Sequence, residues 1–171
     1  NLMRLGGIDR KPLSGMPAVN YDSVIYDLKS QDRIGKRFDY GSQTAPYGLS
    51  QIDGAYTYIP DFLASQHTIE TAADCEAYVA RLGESARLMD DEIECVRHDV
   101  GKGVIPPDFA LAGALGQMKT LHAPPEQSSL VSSLVDRAKA KGIAGDWSKA
   151  ATEAYTGKVL PALERQVAVL V

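Results

Sequence analysis

Thr71-Ala72-Ala73-Asp74-Cys75-Glu76-Ala77-Tyr78-Val79-Ala80-Arg81-Leu82 opens the segment that decides the fold. Thr71 followed by Asp74 has the form of a capping box, which offers a hydroxyl to an orphan amide and a carboxylate to the positive end of a helix. Behind it Cys75, Tyr78, Leu82, Ala86, Met89, Ile93, Val96 and Val100 step by three and four. That spacing is one apolar stripe of a single helix, about seven turns long at 3.6 residues per turn. Gly101 and Gly103 close it.

Toward the amino terminus, Pro17 suits a first helical turn, and a helix is predicted from there to about Gly35. Tyr21, Val24, Ile25 and Leu28 would form its buried face. From about 38 to 60 no period holds, and Gly41, Pro46, Gly48, Gly54 and Pro60 punctuate the stretch. It reads as one long irregular loop, and such loops inside compact domains are usually functional or mobile. A short helix is predicted around Asp61 to Ser65. Toward the carboxyl terminus, Pro106-Pro107 begin a helix carrying Leu111, Leu115, Met118 and His122 on one line, with Gly113 and Gly116 allowing a neighbour to come close. Leu130, Val131, Leu134, Val135 and Ala138 define another, ending at Gly142. A last helix starts at the N-cap Asp146 and runs to the end, kinked at Pro161, which lacks a backbone donor. The sum is an all-α, bundle-like multi-helix array with almost no sheet, taken as one helical domain over 1–171.

The 171 residues are 44% apolar and 23% charged, with a net charge of -4. This is globular composition. The acidic balance and scattered Lys and Arg argue against a nucleic-acid or anionic-membrane surface, since both need a clustered basic footprint. No stretch has the length and apolarity of a membrane span. The sequence begins at Asn1, and Val167-Ala168-Val169-Leu170-Val171 carries no helix stop, so both ends read as cut. Apolar residues at Leu2 to Leu5 and Val167 to Val171 would then offer surfaces for self-association. Cys75 and Cys95 lie about 30 Å apart if they share one helix, too far for a disulfide, and read as two buried thiols.

Complete catalytic signatures are missing. A helical zinc-hydrolase site needs two histidines four apart beside a glutamate. His67 has Thr71 at that position and His98 has Lys102, while His122 stands apart. Gly-x-Ser-x-Gly, Walker and dinucleotide sequences do not occur. The acidic run Asp90, Asp91, Glu92, Glu94 is flanked by Arg87 and Arg97 at helical pairing distance and reads as a solvated face. No catalytic residue, metal ligand or cofactor is therefore expected in this chain. What remains is the tyrosine-rich loop. Tyr47 and Tyr56 offer apolar rings with polar tips, and Gln51 and Asp53 add hydrogen-bonding groups, which suits a substrate groove.

The order of segments supplies a resemblance. Asn20-Tyr21-Asp22, Pro46-Tyr47-Gly48-Leu49-Ser50-Gln51-Ile52-Asp53-Gly54-Ala55-Tyr56, Ile59-Pro60-Asp61-Phe62-Leu63, His67-Thr68-Ile69-Glu70-Thr71, Gly103-Val104-Ile105-Pro106-Pro107 and Val159-Leu160-Pro161-Ala162-Leu163 together resemble the amino-terminal part of the bacterial family called domain of unknown function 885. Members look like gluzincin metallopeptidases, with His-Glu-x-x-His in a carboxy-terminal half. The resemblance implies that this chain is the amino-terminal helical, cleft-wall portion of a zinc-dependent peptidase, inactive alone. Its partners would be the carboxy-terminal remainder of the same protein and a peptide substrate, and zinc would belong to the complete protein. A periplasmic or envelope location would follow from the same resemblance. The alternative is a non-catalytic helical scaffold or interaction module; a helical ligand-binding protein with its pocket near Tyr47 and Tyr56 is a third reading.

Overall fold

The computed structural model describes residues 1–41 and 45–171, and among them every regular element is helical. The all-α expectation holds. Contacts divide the chain into two compact units, Asn1–Pro46 and Tyr47–Val171.

The first unit contains α1 (Leu2–Gly6) and α2 (Gly15–Phe38). Arg10 ties the connection between them to α2 through a two-pronged bond to Asp22, both contacts at 2.7 Å. The helix predicted from Pro17 to Gly35 is longer at both ends. Its predicted buried face is not buried. Val24 is 48% exposed, Tyr21, Ile25 and Leu28 are half-buried, and Ala18 is the one buried residue of α2. Within this unit a five-residue helix is the partner, and it cannot cover a helix of 24 residues.

The second unit is organised by α4 (Ala72–Gly101), and the predicted capping box forms. Thr71 Oγ1 accepts the N–H of Asp74 at 3.3 Å, and Asp74 accepts the N–H of Thr71 at 2.8 Å. The Thr71 hydroxyl and then the backbone N–H groups of Glu70 and Thr71 hold the Asp74 carboxyl below its usual range. Cys75, Tyr78, Leu82, Ala86, Met89, Ile93 and Val96 are buried as their spacing requires, while Val100 in the last turn is exposed. At the end of α4, Gly103 adopts φ +78. The N–H of Val104 then reaches Asp99 O at 3.0 Å and that of Gly103 reaches Val100 O at 2.8 Å, which satisfies two orphan carbonyls.

Around α4 pack α3 (Ala55–Asp61), α6 (Ser129–Ala140), α7 (Trp147–Ala154) and α8 (Leu160–Leu170), and α5 (Asp108–Leu121) packs against α8. The core joins Leu49, Tyr56, Leu63, Ile69, Met118, Leu134, Tyr155 and Leu163 to the α4 stripe. Buried tyrosines place their hydroxyls on carbonyls at helix ends: Tyr78 on Leu130 in the first turn of α6 at 3.0 Å, and Tyr155 on Leu121 at the end of α5 at 2.6 Å.

Several expectations are corrected here. Irregular backbone does not extend from 38 to 60, because α2 persists to Phe38 and α3 begins at Ala55; positions 42–44 of that stretch lie outside the described residues. The short helix predicted at Asp61 to Ser65 is instead α3 followed by a π-helical turn, Phe62–Gln66. The predicted last helix is α7 and α8 joined by a second π-helical turn, Tyr155–Val159, with Asp146 capping α7 through the N–H of Lys149 at 3.1 Å. The second π turn precedes Pro161 and contains Gly157, the residue four back, so widening the helix there accommodates the missing donor and the ring's bulk.

On α5 the buried line is Ala110, Ala114 and Met118, with Leu111 and Leu115 half-buried and His122 exposed. Cys95 is exposed although Cys75 is buried, because Ile93 and Val96 hold the stripe on either side of it. The carboxy-terminal apolar run is largely covered: Val167, Val169 and Leu170 pack on the core and Val171 is exposed.

Candidate functional site

The site starts with the backbone before α3. Ser50 and Asp53 close a tight turn, with the N–H of Ser50 on Asp53 O at 3.0 Å and the N–H of Asp53 on Ser50 Oγ at 3.2 Å. Gly54 follows at φ +128, a conformation that strains any other residue. It launches α3, whose first N–H, from Ala55, donates to Glu92 of α4 at 2.7 Å. The other Glu92 oxygen accepts from Gln166 Nε2 of α8 at 2.8 Å. Gln166 is fully buried and also donates to Met89 O at 3.3 Å, while its own side-chain oxygen has no partner. That geometry fixes the amide, since turning it over would set its oxygen against the Met89 carbonyl. Glu92 is thus half-buried and structural. It does not belong to the solvated acidic face read from the sequence, whereas Asp90, Asp91 and Glu94 do pair with arginines.

Held this way, α3 presents Tyr56 to a cleft of about 380 Å³ lined by Gln51, Tyr56, Thr57, Pro60, Gln117, Thr120 and Leu121. The Tyr56 hydroxyl lies 2.6 Å from Ser50 O and 2.9 Å from the Gln117 carboxamide. One proton cannot serve two acceptors. The shorter contact, to Ser50 O, is the stronger of the two, and the Gln117 atom that faces the hydroxyl is the amide oxygen Oε1. Burial, and then the charges of Glu92 and Asp53, push the Tyr56 phenol up to about 12. It is neutral at physiological pH. Gln51 lies across Gly113 of α5, where a Cβ would collide with the Gln51 carboxamide.

Of the four residues predicted to bind substrate, Gln51 and Tyr56 come together in this cleft. Asp53 is committed to the turn with Ser50. Tyr47 lies elsewhere, with Leu49 against Val96, Asp99, Val100, Val104, Pro106 and Leu170. Gln117, Thr120 and Leu121 were missed. They sit on a helix far along the sequence, and no local signal pointed to them.

The histidines do not converge. His67 is buried against the edge of Tyr78, with ring centroids 5.3 Å apart; Nε2 donates to Asp74 O at 2.9 Å and Nδ1 accepts from Arg81. His122 faces Glu164 at 2.9 Å, and His98 lies on α4. Among the described residues no three His, Cys, Asp or Glu side chains are grouped as a metal site requires. The described residues do not fit a zinc ion. Also among them, no helix is long and apolar enough to cross a membrane.

A family model described as bacterial protein of unknown function (DUF885) matches residues 1–171 of the chain. No curated protein and no solved structure matches it.

Proposed function

Because the chain belongs to the bacterial family DUF885, we propose that it forms the helical wall of a peptide-binding cleft in a zinc-dependent peptidase. The observation that carries this reading is the meeting of Gln51, Tyr56 and Gln117. Two carboxamides and a neutral phenol, set beside the apolar Pro60 and Leu121, match the alternating polar backbone and apolar side chains of an extended peptide. Metal, general base and transition-state stabiliser come from other residues of the complete protein, and no chemical step is assigned to this segment. Its role is to bind and orient the peptide.

The test uses the chain and the complete gene product side by side. The purified chain supplied with zinc should hydrolyse no peptide, and the complete protein should hydrolyse peptides in a chelator-sensitive manner. Gln117→Leu in the complete protein should raise KM and leave kcat nearly unchanged, as loss of uniform binding does. Turnover by the chain alone, or a complete protein inert toward peptides, would overturn the proposal.

A second reading, a non-catalytic interaction module, is favoured by α2, where Val19, Val24, Tyr26 and Ile34 are exposed along one helix. Peptide hydrolysis by the complete protein decides against it.

A further inference from the structure

A second hollow, of about 580 Å³, lies between α5 and α8. Leu115, Met118 and Lys119 recur at three- and four-residue spacing and so share one face of α5, and His122 follows at its end. Gln117 and Thr120 belong to a different face, the one on the cleft at Tyr56. Glu164 and Val167 supply the wall from α8. The floor is apolar, with Met118 buried and Leu115 and Val167 half-buried. The rim is charged. His122 donates from Nε2 to Glu164 Oε1 at 2.9 Å, which ties the two helices at one end of the hollow and leaves the second carboxylate oxygen without a bond among the described residues. Lys119 is exposed and has no ion pair or hydrogen bond among the described residues.

We propose that this hollow binds a free apolar amino acid, with its carboxylate on Lys119, its ammonium on Glu164 and its side chain on Leu115, Met118 and Val167. The rim carries one charge of each sign, and a zwitterion satisfies both in one event. A ligand with a carboxylate alone sets a like charge toward Glu164, and one with an amine alone does the same toward Lys119. The flexible stem of Lys119 lets its ammonium follow the ligand's carboxylate, which a rigid fork does not need to do here. Nothing polar lines the floor, so a polar ligand side chain loses its water there without gaining a partner. The volume falls in the range of small-ligand pockets. This site stands apart from the peptide cleft, and neither reading needs the other.

NMR titration of the 171-residue chain with leucine, leucinamide, N-acetylleucine and glycine tests this, with the methyl resonances of Leu115, Met118 and Val167 as reporters. Leucine should bind most tightly. Leucinamide and N-acetylleucine, each lacking one charge, should bind about threefold to fivefold more weakly, the size of an exposed ion pair. Glycine, lacking the apolar side chain, should be at least about tenfold weaker. Lys119→Met keeps most of the stem and removes the charge; it should bring leucine down to the level of leucinamide and leave leucinamide binding unchanged. Glu164→Gln keeps an acceptor for His122 and should bring leucine down to the level of N-acetylleucine. Equal binding of leucine and both blocked forms, leucine binding indifferent to Lys119→Met and Glu164→Gln, or no shift of the floor methyls overturns the assignment. Shifts confined to Gln51, Tyr56 and Gln117 place the ligand in the cleft instead, which overturns this site and leaves the peptide reading standing.

Discussion

The carboxylate of Glu92 accepts the backbone N–H of Ala55 at 2.7 Å, across 37 positions of sequence. That contact lets α3 begin where no local cap exists, since Gly54 makes no side-chain bond to the helix it precedes. The places of Tyr56, Thr57 and Pro60 in the cleft follow from where α3 begins. In Glu92→Ala the Ala55 N–H and one N–H of the buried Gln166 lose their acceptor, and a loss of about 1–3 kcal/mol is expected. Urea denaturation of the variant measures it; an unchanged midpoint would remove Glu92 from this role.

Two carboxyls should give opposite pH signatures. Burial lifts Glu92 above its usual 4.5, although the N–H groups of Ala55 and Gln166 favour the carboxylate. Its folded-state value exceeds the unfolded one, so its stability contribution is complete below 4.5 and declines as pH rises through the raised value. Asp74 is shifted down from 3.8, so its contribution is present above that value and disappears as pH falls through the lowered one. Relative to wild type, Glu92→Gln should therefore lose least at the upper end of its window. Asp74→Asn should lose most at neutral pH and approach wild type in strong acid. Denaturation midpoints across pH resolve both trends.

Tyr56→Phe removes the hydroxyl that donates to Ser50 O and faces Gln117 Oε1. The expected destabilisation is about 1–2 kcal/mol, because a buried carbonyl is left without its partner. In a spectrophotometric titration the wild type should show one phenol ionising at about 12 that the variant lacks. Loss instead of a phenol titrating near 10 would contradict the buried, acceptor-bound hydroxyl.

Two glycines should separate shape from strain. Gly113→Ala meets the Gln51 carboxamide, the far end of a flexible side chain, so stability should change little while peptide binding in the cleft weakens. Gly54→Ala combines φ +128 with collisions against Leu49 and Tyr56, and a cost of about 1–3 kcal/mol or more is expected. Thermal unfolding and peptide titration of both variants distinguish these outcomes.

The thiols should react unequally. Cys95 is exposed, whereas Cys75 is buried and burial pushes its thiol up. A thiol reagent should modify one cysteine in the native protein and the second only after denaturation, with mass mapping placing the first at Cys95. Rapid modification of Cys75 in the native state would contradict the packing of α4.

What the sequence determined on its own is whatever depends on neighbours along the chain. The Thr71–Asp74 box, the three-and-four stripe from Cys75 to Val96 and the Asp146 cap are local hydrogen bonds and local periodicity, so helix identity and the all-α class follow directly. The same locality placed Gln51 and Tyr56 among the candidates. Tertiary structure decided the rest. The sequence could not show that Glu92 leaves the acidic face to cap α3, that α2 would find too small a partner to bury Val24, or that Pro161 would be met by a π turn. Nor could it show that Gln117 and Thr120 would complete the cleft. The Glu92 cap and the completion of the cleft are set by partners tens of residues away, whose approach is governed by packing and by the need to satisfy buried polar groups, and neither leaves a periodic mark in the sequence.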